Sequence, residues 1–69
     1  MNEKIRTKAQ FFFNNRNKVH IKDKSDRFFN GVIKEIAEEY LIFHDRVVGD
    51  TIIYFSDIRR IDVYQEVIE

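Results

Sequence analysis

Between Arg27 and Tyr64 the chain reads RFFNGVIKEIAEEYLIFHDRVVGDTIIYFSDIRRIDVY. Short apolar runs alternate with polar residues there and end at turn signals, and a glycine interrupts one of them. Successive side chains of a strand point to opposite faces, so this alternation marks half-buried strands. Strands this short, joined by turns of a few residues, bury one face only by curling. The pattern therefore predicts a small, strongly bent β-barrel, an architecture suited to binding rather than to catalysis.

Strand by strand, the period of two begins near Lys18, where Val19 and Ile21 alternate with His20 and Lys22. Asp23 to Asp26 reads as a polar turn. The second strand runs from Arg27 to about Ile36 with Phe29, Gly31 and Ile33 on one face. Strict alternation would then bury Glu35, whereas Ile36 is the better core residue, so a bulge or sharp bend is expected near Lys34–Glu35. Gly31, inside a strand, marks a place where the sheet curls or another backbone comes close. Tyr40 to Arg46 forms the third strand with Leu41 and Phe43 inward, and residues 47–50 turn around Gly49. Thr51 to Phe55 forms the fourth, with Ile53 and Phe55 inward. Ser56 and Asp57 bond readily to nearby backbone and make one helical turn. That turn delivers Ile58 to the core and opens the fifth strand, in which Ile61 and Val63 point in. Val67 and Ile68 end the chain as a tail or as part of a contact.

Ahead of the strands, Ile5, Ala9, Phe12 and Phe13 share one helical face. Asn14 and Asn15 supply a stop, because asparagine tolerates the left-handed backbone of helix ends. Phe11 stands off that stripe, either exposed or against another subunit. The fold class is mainly β: an N-terminal helix over residues 1–15, then a five-stranded barrel over 18–64, in a single domain spanning 1–69.

Sixty-nine residues bury a small core, and a domain of that size often needs a staple or a partner subunit. Cysteine is absent, which excludes disulfides and thiolate metal sites. No apolar run reaches the roughly 18 residues of a membrane span, and the first residues lack the apolar core of a signal peptide. The cytoplasm is the expected location, with no membrane partner. The formal net charge is zero, yet residues 1–24 carry seven basic and two acidic side chains against five and ten in residues 25–69. A basic leading segment on an acidic body suits phosphate, the acidic face of another copy, or simply a solvated surface.

The helix followed by five strands, the Phe29-Asn30-Gly31-Val32-Ile33 segment in strand two, and the polar turn before strand five resemble the Sm and LSm-like family. Strands four and five, from Ile53 to Val63, are similar to the Sm-like C-terminal domain of ribosome maturation factors. The resemblance implies RNA binding and ring assembly, with strand four of one copy pairing to strand five of the next. Two departures stand out. The loop after strand two, where the family places an Asp and an Asn, reads Ala37-Glu38-Glu39. Arg59 and Arg60 lie within strand five rather than between strands four and five, so the family's uracil pocket does not carry over. SH3-like barrels share much of the pattern, which keeps a protein-interaction module as the alternative reading.

Catalytic and metal chemistry find little footing. Glu38 and Glu39 are adjacent and diverge in a turn, and Ser25 and Ser56 have no base near them in sequence. His44 and Asp45 are strand neighbours facing opposite sides, which removes the obvious metal pair. No cofactor, catalytic residue or metal ligand is expected. For single-stranded nucleic acid, held by cations along the backbone and aromatic faces against the bases, the candidates are Lys18, Lys22, Tyr40, Arg46, Arg59 and Arg60, with Phe28, Tyr54 and Tyr64 as further outward aromatics. Strands four and five are apolar on both faces, Ile52 and Tyr54 lying opposite Ile53 and Phe55. Edges of that kind aggregate unless paired, so a homo-oligomer is expected through Ile52, Tyr54 and Tyr64.

Overall fold

The computed structural model describes residues 3–63. Its elements are α1 (Glu3–Asn14), β1 (Val19–Asp23), β2 (Phe28–Ile36), β3 (Tyr40–Asp45), β4 (Gly49–Tyr54), a 3-10 turn (Phe55–Asp57) and β5 (Ile58–Val63). The expected order of one helix and five strands is therefore the observed one.

All strand pairings are antiparallel, and the sheet order is β4-β3-β2-β1-β5. The nine residues of β2 tie its two halves together: Phe28–Gly31 pair with β1 and Gly31–Ile36 pair with β3. The register with β3 slips between Ile33 and Glu35, so the bulge expected from the broken alternation is present. It turns Ile36 back towards the core while Lys34 and Glu35 stay exposed. Gly31 fulfils the close-approach reading, since a Cβ there would overlap the carbonyl oxygen of His44.

Inward positions form one cluster: Val19, Ile21, Ile33, Leu41, Phe43, Ile53, Phe55, Ile58 and Ile61, with Ala9 from the helix. Helix α1 lies against β2 and β5, and its predicted stripe of Ile5, Ala9, Phe12 and Phe13 faces this core. Phe11 remains exposed. Arg6 fixes the helix start by donating to the Ala37 carbonyl at 3.3 Å and resting its guanidinium 5.8 Å from the Phe55 ring centroid.

Several details correct the sequence reading. The left-handed residue that ends α1 is Arg16 (φ 54°), not Asn14 or Asn15. Asn17 N–H donates to the Phe12 carbonyl and Arg16 N–H to the Phe13 carbonyl, the paired bonds of a Schellman cap. Asp23 belongs to β1 and is buried, and β4 begins at Gly49 rather than Thr51. Phe55 is inward as expected but sits in the 3-10 turn. Val63 opposes the buried Val19 on the inner face, as expected, but stays partly exposed because it ends an edge strand with β1 on one side only. Tyr64, Val67 and Ile68 lie outside the described residues. No helix among the described residues is long and apolar enough to cross a membrane.

Candidate nucleic-acid interface

The outer face of the sheet carries the side chains that alternate with the core. On β5, β1 and the start of β2 these are Arg60, Asp62, His20, Lys22, Phe28 and Asn30, set by the pairs Lys22↔Arg60, His20↔Asp62, Lys22↔Phe28 and His20↔Asn30. A second register slip falls here. Lys22 opposes Arg60 while Asp23 opposes Ile58, leaving Arg59 as an extra residue. A bulge of this kind sets two residues of one strand against one of its partner, so Arg59 and Arg60 both stand beside Lys22. Asp26 confirms the convergence: its carboxylate lies 3.4 Å from Lys22 Nζ and 3.7 Å from Arg59 Nη1. Asp62 takes Arg60 at 3.6 Å and Lys8 at 3.3 Å. These are solvated pairs of small energetic value, so the cations remain available to a stronger anion.

Phe28 stands next to this cluster and is 57% exposed. Lys22 Nζ lies 5.5 Å from its ring centroid, and the His20 ring stacks on it at 5.3 Å with planes 26° apart. His20 Nδ1 is hydrogen-bonded to Asn30 Oδ1. Beyond Phe28 an open groove of about 850 Å³ runs to the β3–β4 turn, with Phe28 and Asn30 on one wall and Arg46, Val47 and Val48 on the other.

Two buried carboxylates hold the loops that shape this end. Asp23 accepts from Ser25 N–H and Arg27 N–H, both at 2.9 Å, and from Arg27 Nε at 3.0 Å. Asp45 accepts from Asn30 N–H at 2.9 Å and from Val47 and Val48 N–H at 2.8 and 3.0 Å. Burial pushes each carboxyl up, but the hydrogen bonds outweigh it and hold both below the ordinary value.

Lys22, Arg59 and Arg60, all expected from sequence, come together, whereas Arg46 stands apart from them at the β3–β4 turn, where it lines the groove that Phe28 borders. Lys18 precedes β1, at the end away from Lys22. Tyr40 is also apart from the cluster. It opposes Tyr54 across β3 and β4, the two rings meeting edge to face with centroids 5.6 Å apart. Sequence alone does not single out His20 and Asn30, because their signal is a cross-strand register, which no single strand reveals.

Along β4, Ile52 and Tyr54 are exposed on the outer face while Ile53 is buried, so β4 is apolar on both faces as expected, whereas β5 is not: its outer face carries Arg60 and Asp62. Phe55 N–H donates to the Glu39 carbonyl at 3.0 Å. Counting along the Tyr40↔Tyr54 register, bonded pairs alternate through Leu41/Ile53 and Phe43/Thr51. Asp50, Ile52 and Tyr54 consequently aim their backbone groups away from β3. Among the described residues β4 and β5 each have one strand neighbour, at opposite margins of the sheet.

His44 lies on the outer face and meets Asp50 at 2.7 Å, while Lys34 meets the other Asp50 oxygen at 3.0 Å. Hydrogen bonds from His44 and Lys34 lower the Asp50 carboxyl. A cation as third member is a poor companion for a metal ion, and among the described residues no group of His, Asp and Glu could hold one. Glu38 and Glu39 open onto a cleft shared with Glu3, Arg6, Tyr54, Phe55 and Ser56.

A helix laid on a bent, open, five-stranded antiparallel sheet in this order is the Sm-like fold. Among solved structures, the chain is similar to the crystal structure of the pleiotropic translational regulator Hfq, with a TM-score of 0.73 and 19% identity over 83% of this chain and 93% of that one. No family model and no curated protein matches the chain in sequence.

Proposed function

We propose that this chain is a non-enzymatic Sm-like module of the cytoplasm that binds single-stranded RNA and assembles into a ring by pairing β4 of one copy with β5 of the next. The observation that carries the RNA reading is the bulge that brings Lys22, Arg59 and Arg60 together beside the exposed Phe28. Three cations at one point match the closely spaced phosphates of a strand, and an exposed aromatic ring offers a stacking surface that any base can use. Likeness in fold to a translational regulator supports the same direction.

Ring assembly rests on the two open margins of the sheet and on the exposed Ile52 and Tyr54. Pairing these margins satisfies the outward backbone groups of β4 and enlarges a core that is small in one copy.

Fluorescence anisotropy of a labelled single-stranded RNA, titrated across a salt series, tests the RNA reading. Three phosphate contacts give a log–log salt slope of about −2, and the Arg59→Ala/Arg60→Ala double variant brings it to about −0.7. Absence of binding in dilute salt would sink the proposal and favour a protein ligand for the same aromatic surface.

A further inference from the structure

Resting on the ring reading, we infer that residues 64–69 of one copy strap the β3–β4 turn of the next, setting Val67 and Ile68 on the exposed Val47 and Val48 and Glu69 beside Arg46.

Two adjacent valines at the tip of a tight turn sit badly in water: Val47 is 85% exposed and Val48 66%. Turn positions favour glycine and small polar residues. Asp45 already holds both valine N–H groups, so the turn itself draws nothing from their side chains. Together with the exposed Phe28 they give the neighbouring groove its apolar surface.

The sheet edges carry the tail to this place. Asp23 N–H donates to the Arg27 carbonyl, towards β2. By alternation His20 and Lys22 face β5, so their partners Asp62 and Arg60 face β1. Ile61 and Val63 are then the β5 residues whose backbone groups point outward, as those of Ile52 and Tyr54 do on β4. Antiparallel pairing of these four sets Val63 opposite Ile52 and Ile61 opposite Tyr54. Ile52 and Val63, apolar side chains that water reaches in one copy, meet in that register. A shift of two residues either sets Val63 against Asp50, already bonded to His44 and Lys34, or carries Ile61 beyond the end of β4. Counting on from Val63, Gln65 comes opposite Asp50 and the chain then passes Gly49 towards the turn. Continued in step, Val67 reaches Val48, Ile68 reaches Val47, and Glu69 reaches Arg46. Apolar meets apolar and acid meets base at each of these places. Within one copy the tail starts from the far margin of the sheet, with β1, β2 and β3 between Val63 and β4. The next copy's turn is therefore the nearer one.

The chain has no cysteine, so the contact can be trapped by oxidation. A Val48→Cys/Val67→Cys variant treated with diamide is expected to run as a ladder of covalent oligomers on a non-reducing denaturing gel. With Lys4→Cys, on the exposed side of α1, in place of Val48→Cys, the ladder is expected to be faint. A cross-linked single chain instead of a ladder returns the tail to its own turn and overturns the inference. So does a ladder of equal strength with Lys4→Cys, or no cross-link in a chain that light scattering shows to be a ring. Removing residues 66–69, or changing Val47→Ser/Val48→Ser, is expected to raise the concentration at which the ring dissociates about tenfold, as for one pair of part-buried valines. Both changes together are expected to add no more than either alone, because they remove one contact. Additive effects overturn the strap while leaving the ring in place. A natural chain that runs as a monomer overturns the ring and the strap with it.

Discussion

Gly31 and the His44 carbonyl approach so closely across β2 and β3 that a methyl group on Gly31 has no room: its carbon would overlap the His44 oxygen and press on the Asp45 Cα at 3.2 Å. Backbone on both sides leaves nothing flexible to yield. Gly31→Ala is expected to destabilise the fold at or above the upper end of the ~1–3 kcal/mol typical of overpacking. A urea unfolding curve measures it directly. A loss below about 0.5 kcal/mol would mean that β2 and β3 separate more easily than their register indicates.

At the end of α1 the backbone is strained in a way that a substitution can relieve. Arg16 adopts φ 54°, where a side chain costs roughly 1 kcal/mol relative to glycine. Its charge makes no ion pair among the described residues. Arg16→Gly keeps the two cap hydrogen bonds and is expected to raise stability by about 0.5–1 kcal/mol after the greater freedom of glycine in the unfolded chain is counted. A lower melting temperature would show that the side chain contributes to packing.

Much of this architecture is legible in sequence because burial leaves a period. The β2 bulge could be expected from Ile33 and Ile36, two core residues whose spacing breaks alternation. The β5 bulge leaves no such trace: Arg59 and Arg60 are both charged, so a slip between them breaks no apolar pattern, and the basic cluster it creates stays hidden. Propensity favours a helix stop at Asn14 and Asn15, yet the Phe12 and Phe13 carbonyls set the cap geometry and put Arg16 in the left-handed position. In sequence, Tyr40 reads with the basic residues and Tyr54 with the edge. Only the pairing of β3 with β4 shows that the two share one surface. Val63 fits the alternation, but periodicity cannot report that a strand lies at a margin.

Asp23 and Asp45 tie acid stability to the loops beside the groove. Both carboxyls lie below the ordinary 3.8 in the folded chain. A depressed folded value contributes stability that is present above pH 3.8 and is lost as pH falls through the folded-state value. The groove loops are therefore expected to loosen in acid below about pH 4. Asp45→Asn retains one oxygen for three N–H donors and is expected to cost about 2 kcal/mol near neutrality, with the gap to the natural chain narrowing under acid. Melting curves recorded by circular dichroism from neutral to acid pH follow both effects. A gap that widens in acid would reverse the assigned sign.

Neighbouring isoleucines in β4 separate folding from assembly. Ile53 N–H lies in a bonded pair with Leu41 and its side chain is buried, whereas Ile52 N–H points away from β3 and its side chain is exposed. Proline removes an N–H and is tolerated in edge strands where that group faces outward. Ile52→Pro is therefore expected to leave a folded chain with native far-ultraviolet dichroism while taking a donor from any strand that docks on β4. Ile53→Pro breaks the β3–β4 ladder and opens the core, and is expected to unfold the domain outright. Light scattering on a sizing column supplies the readout. A natural chain that runs as a ring and an Ile52→Pro variant that runs as a folded monomer place the assembly contact on β4. An unaltered mass for Ile52→Pro would move the contact to another surface, with the exposed Phe11 of α1 the next to change. A natural chain that runs as a monomer of 8.4 kDa would instead remove the ring and leave the outer-face cations to act one copy at a time.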